Sequence, residues 1–147
     1  MELEKIINNR DLDITMSEKI DQLDGDPFAL SDDSQLFAEI FVMDEFKFLR
    51  FKMLGPLKIE SLEGCQLIFV GDKAELEMES DSIEIKTDYS RKMKIGITEL
   101  DVDLDEELVD VIENKNISSV QIVIKKSNLN FRITNQKLLQ TIINIEE

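Results

Sequence analysis

The stretch LKIESLEGCQLIFVGDKAELEMESDSIEIKT, residues 57–87, decides the fold. It breaks into four short runs with strand character: LKIESL (57–62), CQLIFV (65–70), AELEMES (74–80) and SIEIKT (82–87). Turn-forming residues divide them: Glu63-Gly64, Gly71-Asp72 and Ser80-Asp81-Ser82. Each run has the length of a strand and falls short of an ordinary helix. Leu76 and Met78 alternate with Glu75, Glu77 and Glu79, and Ile83 and Ile85 alternate with Glu84 and Lys86. Successive side chains of a strand point to opposite faces, so this spacing predicts an antiparallel meander with one dry face and one wet one. MKIGI (93–97) extends the series after a turn at 88–92. There Met93, Ile95 and Ile97 share one parity while Leu100 and Val102 share the other, and a bulge near Gly96–Glu99 would reconcile them.

Towards the C-terminus the period changes. In DLDEELVDVIENKN (103–116), Leu104, Leu108, Val111 and Ile112 form a helical stripe, with Asp103 at the N-cap position and Glu106 three residues on. Asp105, Glu106 and Glu107 crowd the first turn, where the helix dipole favours acids. Val120, Ile122 and Ile124, a turn at Lys126-Ser127-Asn128, and Leu129, Phe131 and Ile133 make a hairpin. The tail NQKLLQTIINIEE places Leu138, Leu139, Ile142 and Ile143 on one helical face that should dock on the sheet.

The N-terminal side is less regular. Leu3, Ile6 and Ile7 have helical spacing, DLDIT (11–15) looks like a strand, and MSEKIDQLD (16–24) is expected to be a helix capped by Thr15 and stopped by Gly25 and Pro27. FALSDDS (28–34) is expected to be a loop. QLFAEIFVMD fits a strand or a short helix, and FKFLRFKML (46–54) runs on to Gly55-Pro56. LDITMSEKI (12–20) and LDVDLDEEL (100–108) align without gaps. Two copies would mean a duplicated half-domain with pseudo-symmetry; the alternative is that strand-to-helix junctions converge on a short list of cap residues.

The 147 residues suit one domain spanning 1–147. With 42% hydrophobic and 33% charged residues, the composition is that of a folded, water-soluble chain, and no run approaches the roughly 18 apolar residues of a membrane helix. There is no histidine, which removes Ser-His-Asp and Cys-His chemistry and the commonest zinc ligand. The single cysteine, Cys65, cannot form an internal disulfide, fits a reducing, cytoplasmic setting and reads as a buried small hydrophobe.

The net charge of −15 is uneven. Residues 1–33 carry −7 and 72–113 carry −10, whereas 114–147 carry +3. Such a surface repels nucleic acid and anionic membranes and speeds association with a basic protein.

Four groups of residues are candidates for a site. Asp24 and Asp26 around Gly25, with Asp32 and Asp33, offer oxygen ligands, but their spacing does not match a calcium loop, so no metal and no cofactor is expected. Glu99, Asp101 and Asp103 fall on one face of an extended strand and could do acid–base work on glycosides, although a solvated strand face accounts for them. Phe46, Phe48 and Phe51 interleave with Lys47, Arg50 and Lys52 as in single-strand nucleic-acid binders, yet a core strand with a basic outer face explains them better. Glu75, Glu77, Glu79, Glu84, Asp105, Glu106, Glu107 and Asp110 make an acidic binding face.

The fold expected is therefore α+β: a mostly antiparallel meander sheet of six to nine strands, two short helices at 16–24 and 104–114, and a C-terminal helix packed on the sheet. A curled, barrel-like sheet is the alternative. The function expected is an acidic protein-binding module of the inhibitor or immunity type that meets a basic protein, with no nucleic-acid or membrane partner. An oligomeric accessory protein and a carboxylate- or magnesium-dependent enzyme are the competing readings.

Overall fold

A computed structural model describes residues 16–23 and 25–144. The expected strand at 11–15, its Thr15 cap and the expected helical spacing at 1–10 lie outside the described residues, as does Asp24. Among the described residues nine strands form one antiparallel sheet: β1 (Ala29–Leu30), β2 (Gln35–Met43), β3 (Phe46–Gly55), β5 (Gln66–Gly71), β6 (Glu75–Glu79), β8 (Asp88–Ser90), β9 (Ile95–Asp103), β10 (Ile117–Ile124) and β11 (Ser127–Ile133). Two further short strands, β4 (Glu60–Ser61) and β7 (Ile85–Lys86), pair separately. Helix α1 covers residues 16–21, α2 is Glu106–Asn114 and α3 is Gln136–Ile143. The fold is thus α+β, with the sheet curled into a half-barrel.

The sheet order is β6-β5-β10-β11-β1-β2-β3-β9-β8. Four local hairpins, β2–β3, β5–β6, β8–β9 and β10–β11, supply most of it. They are dealt alternately to two halves, β6-β5-β10-β11 and β2-β3-β9-β8, which meet at the two-residue β1. The segment expected to be a loop at 28–34 holds this junction. Ala29 pairs with Ile133 on one side and with Leu36 on the other. The carbonyl of Phe28 accepts from Thr134 N and Asn135 N, and Phe28 N donates to the Leu36 carbonyl. Phe28 is fully buried, with its ring centroid 5.5 Å from that of Phe51, which in turn lies 6.3 Å from Phe69.

One face of the curled sheet is mostly apolar. Phe69, Val120 and Phe131 form one cross-strand row, and Phe51 and Leu100 lie in another. Leu108 and Ile112 of α2 and Leu139 and Ile143 of α3 join this core. As expected, α3 docks on the sheet, contacting β2 and α2. Gln136 holds α2 and α3 together. Its Nε2 donates to the Ile112 carbonyl at 3.0 Å and to the Lys115 carbonyl, and its Oε1 accepts from Ile117 N at 3.1 Å.

Several local expectations are corrected. Asp105, not Asp103, caps α2: its carboxylate accepts from Leu108 N at 2.9 Å. Asp103 stays extended because it remains paired with Phe48 at the end of β9, and Leu104 lies outside the helix. The α1 helix ends at 21, not 24, and closes through a Leu23 N to Ile20 carbonyl bond before Gly25 at φ +73°. β9 pairs with β3 without a bulge. Ile97 is buried on the outer face, where it lines a hollow together with Lys19, Gln22 and Leu23, while Met93 sits in the 91–94 turn. The β10–β11 turn is Lys125-Lys126, with Ser127 and Asn128 already in the strand. Ile83 is 70% exposed rather than inward, because regular pairing resumes only at Ile85.

The middle stretch also pairs less continuously than a plain meander would. After β6 the chain crosses to the far side of the half-barrel. Ser80 N donates to the Cys65 carbonyl, Asp81 N donates to the Asp101 carbonyl at 2.7 Å, and Asp101 N donates to Ser82 Oγ. The β4–β7 pair fills the gap beside β9. Thr87 Oγ1 accepts from Ile59 N and bonds Thr98 Oγ1 at 2.7 Å. Among the described residues no buried side-chain polar atom lacks a partner.

Candidate functional site

The register of β2, β3 and β9 settles two of the four candidate groups at once. On the outer face, Arg50 lies between Glu39 and Asp101, and Lys52 lies between Phe37 and Glu99. Arg50 makes a two-pronged bond to Asp101, Nε to Oδ1 at 2.8 Å and Nη2 to Oδ2 at 3.1 Å. Its guanidinium lies 4.2 Å from the centroid of the Phe41 ring. Lys52 Nζ reaches Glu39 at 3.1 Å and Glu99 at 3.8 Å. The hydrogen bond to Asp101 and the surrounding carboxylates raise the Arg50 pKa against the opposing effect of burial.

The acidic row Glu99, Asp101, Asp103 and the basic run around Arg50 and Lys52 are therefore opposite faces of one contact, about 50 residues apart in the chain. Two of the three carboxylates are occupied by cations, and so are two of the three bases that a polynucleotide would need, Arg50 and Lys52. The run itself is the expected core strand with a basic outer face: Leu49, Phe51 and Met53 are buried, while Arg50 and Lys52 point outward with Phe46 and Phe48.

The acidic face is distributed over three elements. Glu75, Glu77 and Glu79 project from β6, whose Leu76 and Met78 turn inward as expected. Glu84 lies in the link before β7. Asp105, Glu106, Glu107 and Asp110 line the first half of α2. All eight are exposed, and among the described residues none joins an ion pair. Asp105 caps its helix and Asp110 accepts from Asn114 Nδ2, contacts that leave both negative charges uncompensated. The Asp81–Asp101 backbone bond brings the end of β6 beside β9. Two residues beyond Asp101, Asp103 continues the acidic series towards α2.

Asp26 precedes β1, and Asp32 and Asp33 form the turn between β1 and β2. Asp33 Oδ1 accepts from Ser34 Oγ at 2.9 Å and from Ser31 Oγ at 3.3 Å, so it acts as a turn-former. Among the described residues no three acidic or cysteine side chains converge. Asp32, Asp33 and Arg132 border a hollow of about 620 Å³ over β11. An apolar hollow of about 330 Å³ lies between β2 and α3, lined by Phe37, Ile40, Leu138 and Ile142 among others. Cys65 is buried, and that burial pushes its thiol pKa up, which disfavours the nucleophilic thiolate.

Sequence reasoning did not find the tip of the β2–β3 hairpin. Met43 and Phe46, a directly opposed pair, are 54% and 64% exposed. The signal was present as two large apolar residues flanking Asp44-Glu45, but it needed the strand assignment of 35–43, which periodicity left open. Among the described residues no helix is long and apolar enough to cross a membrane. No family model, no curated protein and no solved structure matches this chain.

Proposed function

We propose that this chain is an acidic protein-binding module that meets a basic protein partner, in the manner of small inhibitor or immunity proteins, and that it works in the cytoplasm. One observation carries the reading. The structure's ion pairs engage Lys19, Arg50 and Lys52, whereas the eight acids of β6, the 80–84 link and α2 stand exposed without a cation among the described residues. Carboxylates in that state raise the local concentration of a cationic partner and speed its docking. The buried, lone Cys65 supports a reducing compartment. The oligomeric accessory reading draws support from the exposed Met43 and Phe46.

The test is a pull-down from native lysate at low and high salt, repeated with Glu75, Glu77 and Glu79 changed to Gln and with Glu106, Glu107 and Asp110 changed to Gln or Asn. A basic protein retained at low salt, released at high salt and lost with the neutralised variants supports the proposal. Retention indifferent to both salt and neutralisation would sink it.

A further inference from the structure

The β2–β3 tip is built as a projecting apolar knob. Register places Met43 opposite Phe46 and Phe41 opposite Phe48, all four on the outer face. The Phe41 and Phe48 rings, 6.2 Å apart, form a half-buried base, with Arg50 packed beneath on Phe41. Above them Met43 and Phe46 face solvent, and Val42, on the hairpin's opposite face, is 43% exposed. The connection is only Asp44-Glu45, with Asp44 held at φ +57°, so the knob sits on a tight turn rather than a long loop. Large apolar side chains exposed together on a hairpin are the composition of interface cores, where Met and aromatics are enriched.

The rim is acidic. Asp44 and Glu45 close the turn, Asp103 sits opposite Phe48 on β9, and Leu104 N donates to the Lys47 carbonyl at 3.0 Å. That bond anchors the start of α2, and so Asp105 and Glu106, next to the hairpin. Lys47, exposed in β3, is a base within this rim.

We infer that this tip is the anchor by which a basic protein docks: Met43 and Phe46 enter an apolar pocket on the partner while the surrounding carboxylates meet arginines or lysines at the pocket's edge. The inference rests on the basic-partner reading above and adds where the contact is centred. Charge complementarity selects the occupant. A second copy of this chain would bring the same acidic rim against itself, and repulsion would oppose it. Arg50 on Phe41 shows that an aromatic face of this hairpin accepts a guanidinium, the contact an incoming arginine would make with Phe46.

The test uses two synthetic peptides of equal length and charge, one alternating arginine with leucine and one alternating arginine with serine. Binding is followed by fluorescence anisotropy and by amide shifts of the labelled full chain. The arginine–leucine peptide should bind about tenfold more tightly, should move amides of residues 41–48, and should lose that advantage with Phe46→Ser or Met43→Ser but not with Leu62→Ser, an exposed apolar control outside the hairpin. The amide shifts need no variant, so they decide the matter even if a substitution perturbs folding. If both peptides bind equally and salt-sensitively and Phe46→Ser changes nothing, the anchor is refuted and the acidic reading stands. If neither peptide binds, both ideas fail. A dimer by light scattering that Phe46→Ser dissolves would assign the knob to a second copy and overturn the inference.

Discussion

Arg50 is tied down on the outer face, bonded twice to Asp101, stacked on Phe41 and neighboured by Glu39. Its side chain and that of Asp101 are only 24% and 21% exposed, so solvent screens the pair incompletely. Arg50→Met should destabilise the chain by about 1–2 kcal/mol, and Asp101→Asn should cost less once Arg50 is already gone. Urea unfolding of the two single variants and the double variant measures the coupling; additive losses would show that the pair contributes nothing. None of this was legible residue by residue. The sequence displays an acidic row and a basic run as separate features, and only a pairing between strands about 50 residues apart makes them cancel. The cap of α2 was misplaced for a related reason: Asp103 and Asp105 are equally good cap residues, and the β3–β9 pairing that keeps Asp103 extended is invisible locally.

At the level of elements, β1 has an effect out of proportion to its two residues. It hydrogen-bonds both halves of the sheet, and Phe28 beside it fills the core against Phe51. Phe28→Ala should cost roughly 3–5 kcal/mol, enough to threaten folding at physiological temperature. A thermal melt shifted by only a degree or two would show that the junction tolerates a void. A run of two residues has no periodicity to detect, so FALSDDS reads as a loop although Phe28 and Ala29 are fully buried. Longer elements were readable where one face alone is dry, as with Leu76 and Met78 in β6, or where a helix presents a single stripe, as in α3. Alternation misled at Ile83, because a pattern can outlast the hydrogen bonds that would enforce it. Glycine marks one site of forced approach: a Cβ on Gly71 would lie 1.9 Å from the Asn116 carbonyl oxygen, beside the irregularity where β5 meets β10.

For the whole molecule, the surplus of fifteen negative charges is a standing repulsion that folding must overcome. Monovalent salt shortens its range, so raising sodium chloride from about 10 to about 150 mM should increase the melting temperature by about 3 °C, equivalent to roughly 1 kcal/mol in a chain of this size. A melting temperature that falls with salt would mean that attractive pairs such as Arg50–Asp101 outweigh the repulsion. Salt should act oppositely on partner capture, weakening it while it steadies the fold. Composition alone made this charge legible. What it could not reveal is how unevenly cations are consumed: Arg50 and Lys52 are spent on Asp101, Glu39 and Glu99, while the β2–β3 turn, Asp103, β6 and α2 are left anionic.

The alternate dealing of hairpins to two halves also has a consequence for biosynthesis. As the chain leaves the ribosome, the β5–β6 hairpin emerges long before β10, its other neighbour, and β3 waits for β9 across some forty residues that belong elsewhere. Neither half can be finished before its late strands are made, and the nascent chain carries open strand edges until β9, β10 and β11 have been translated.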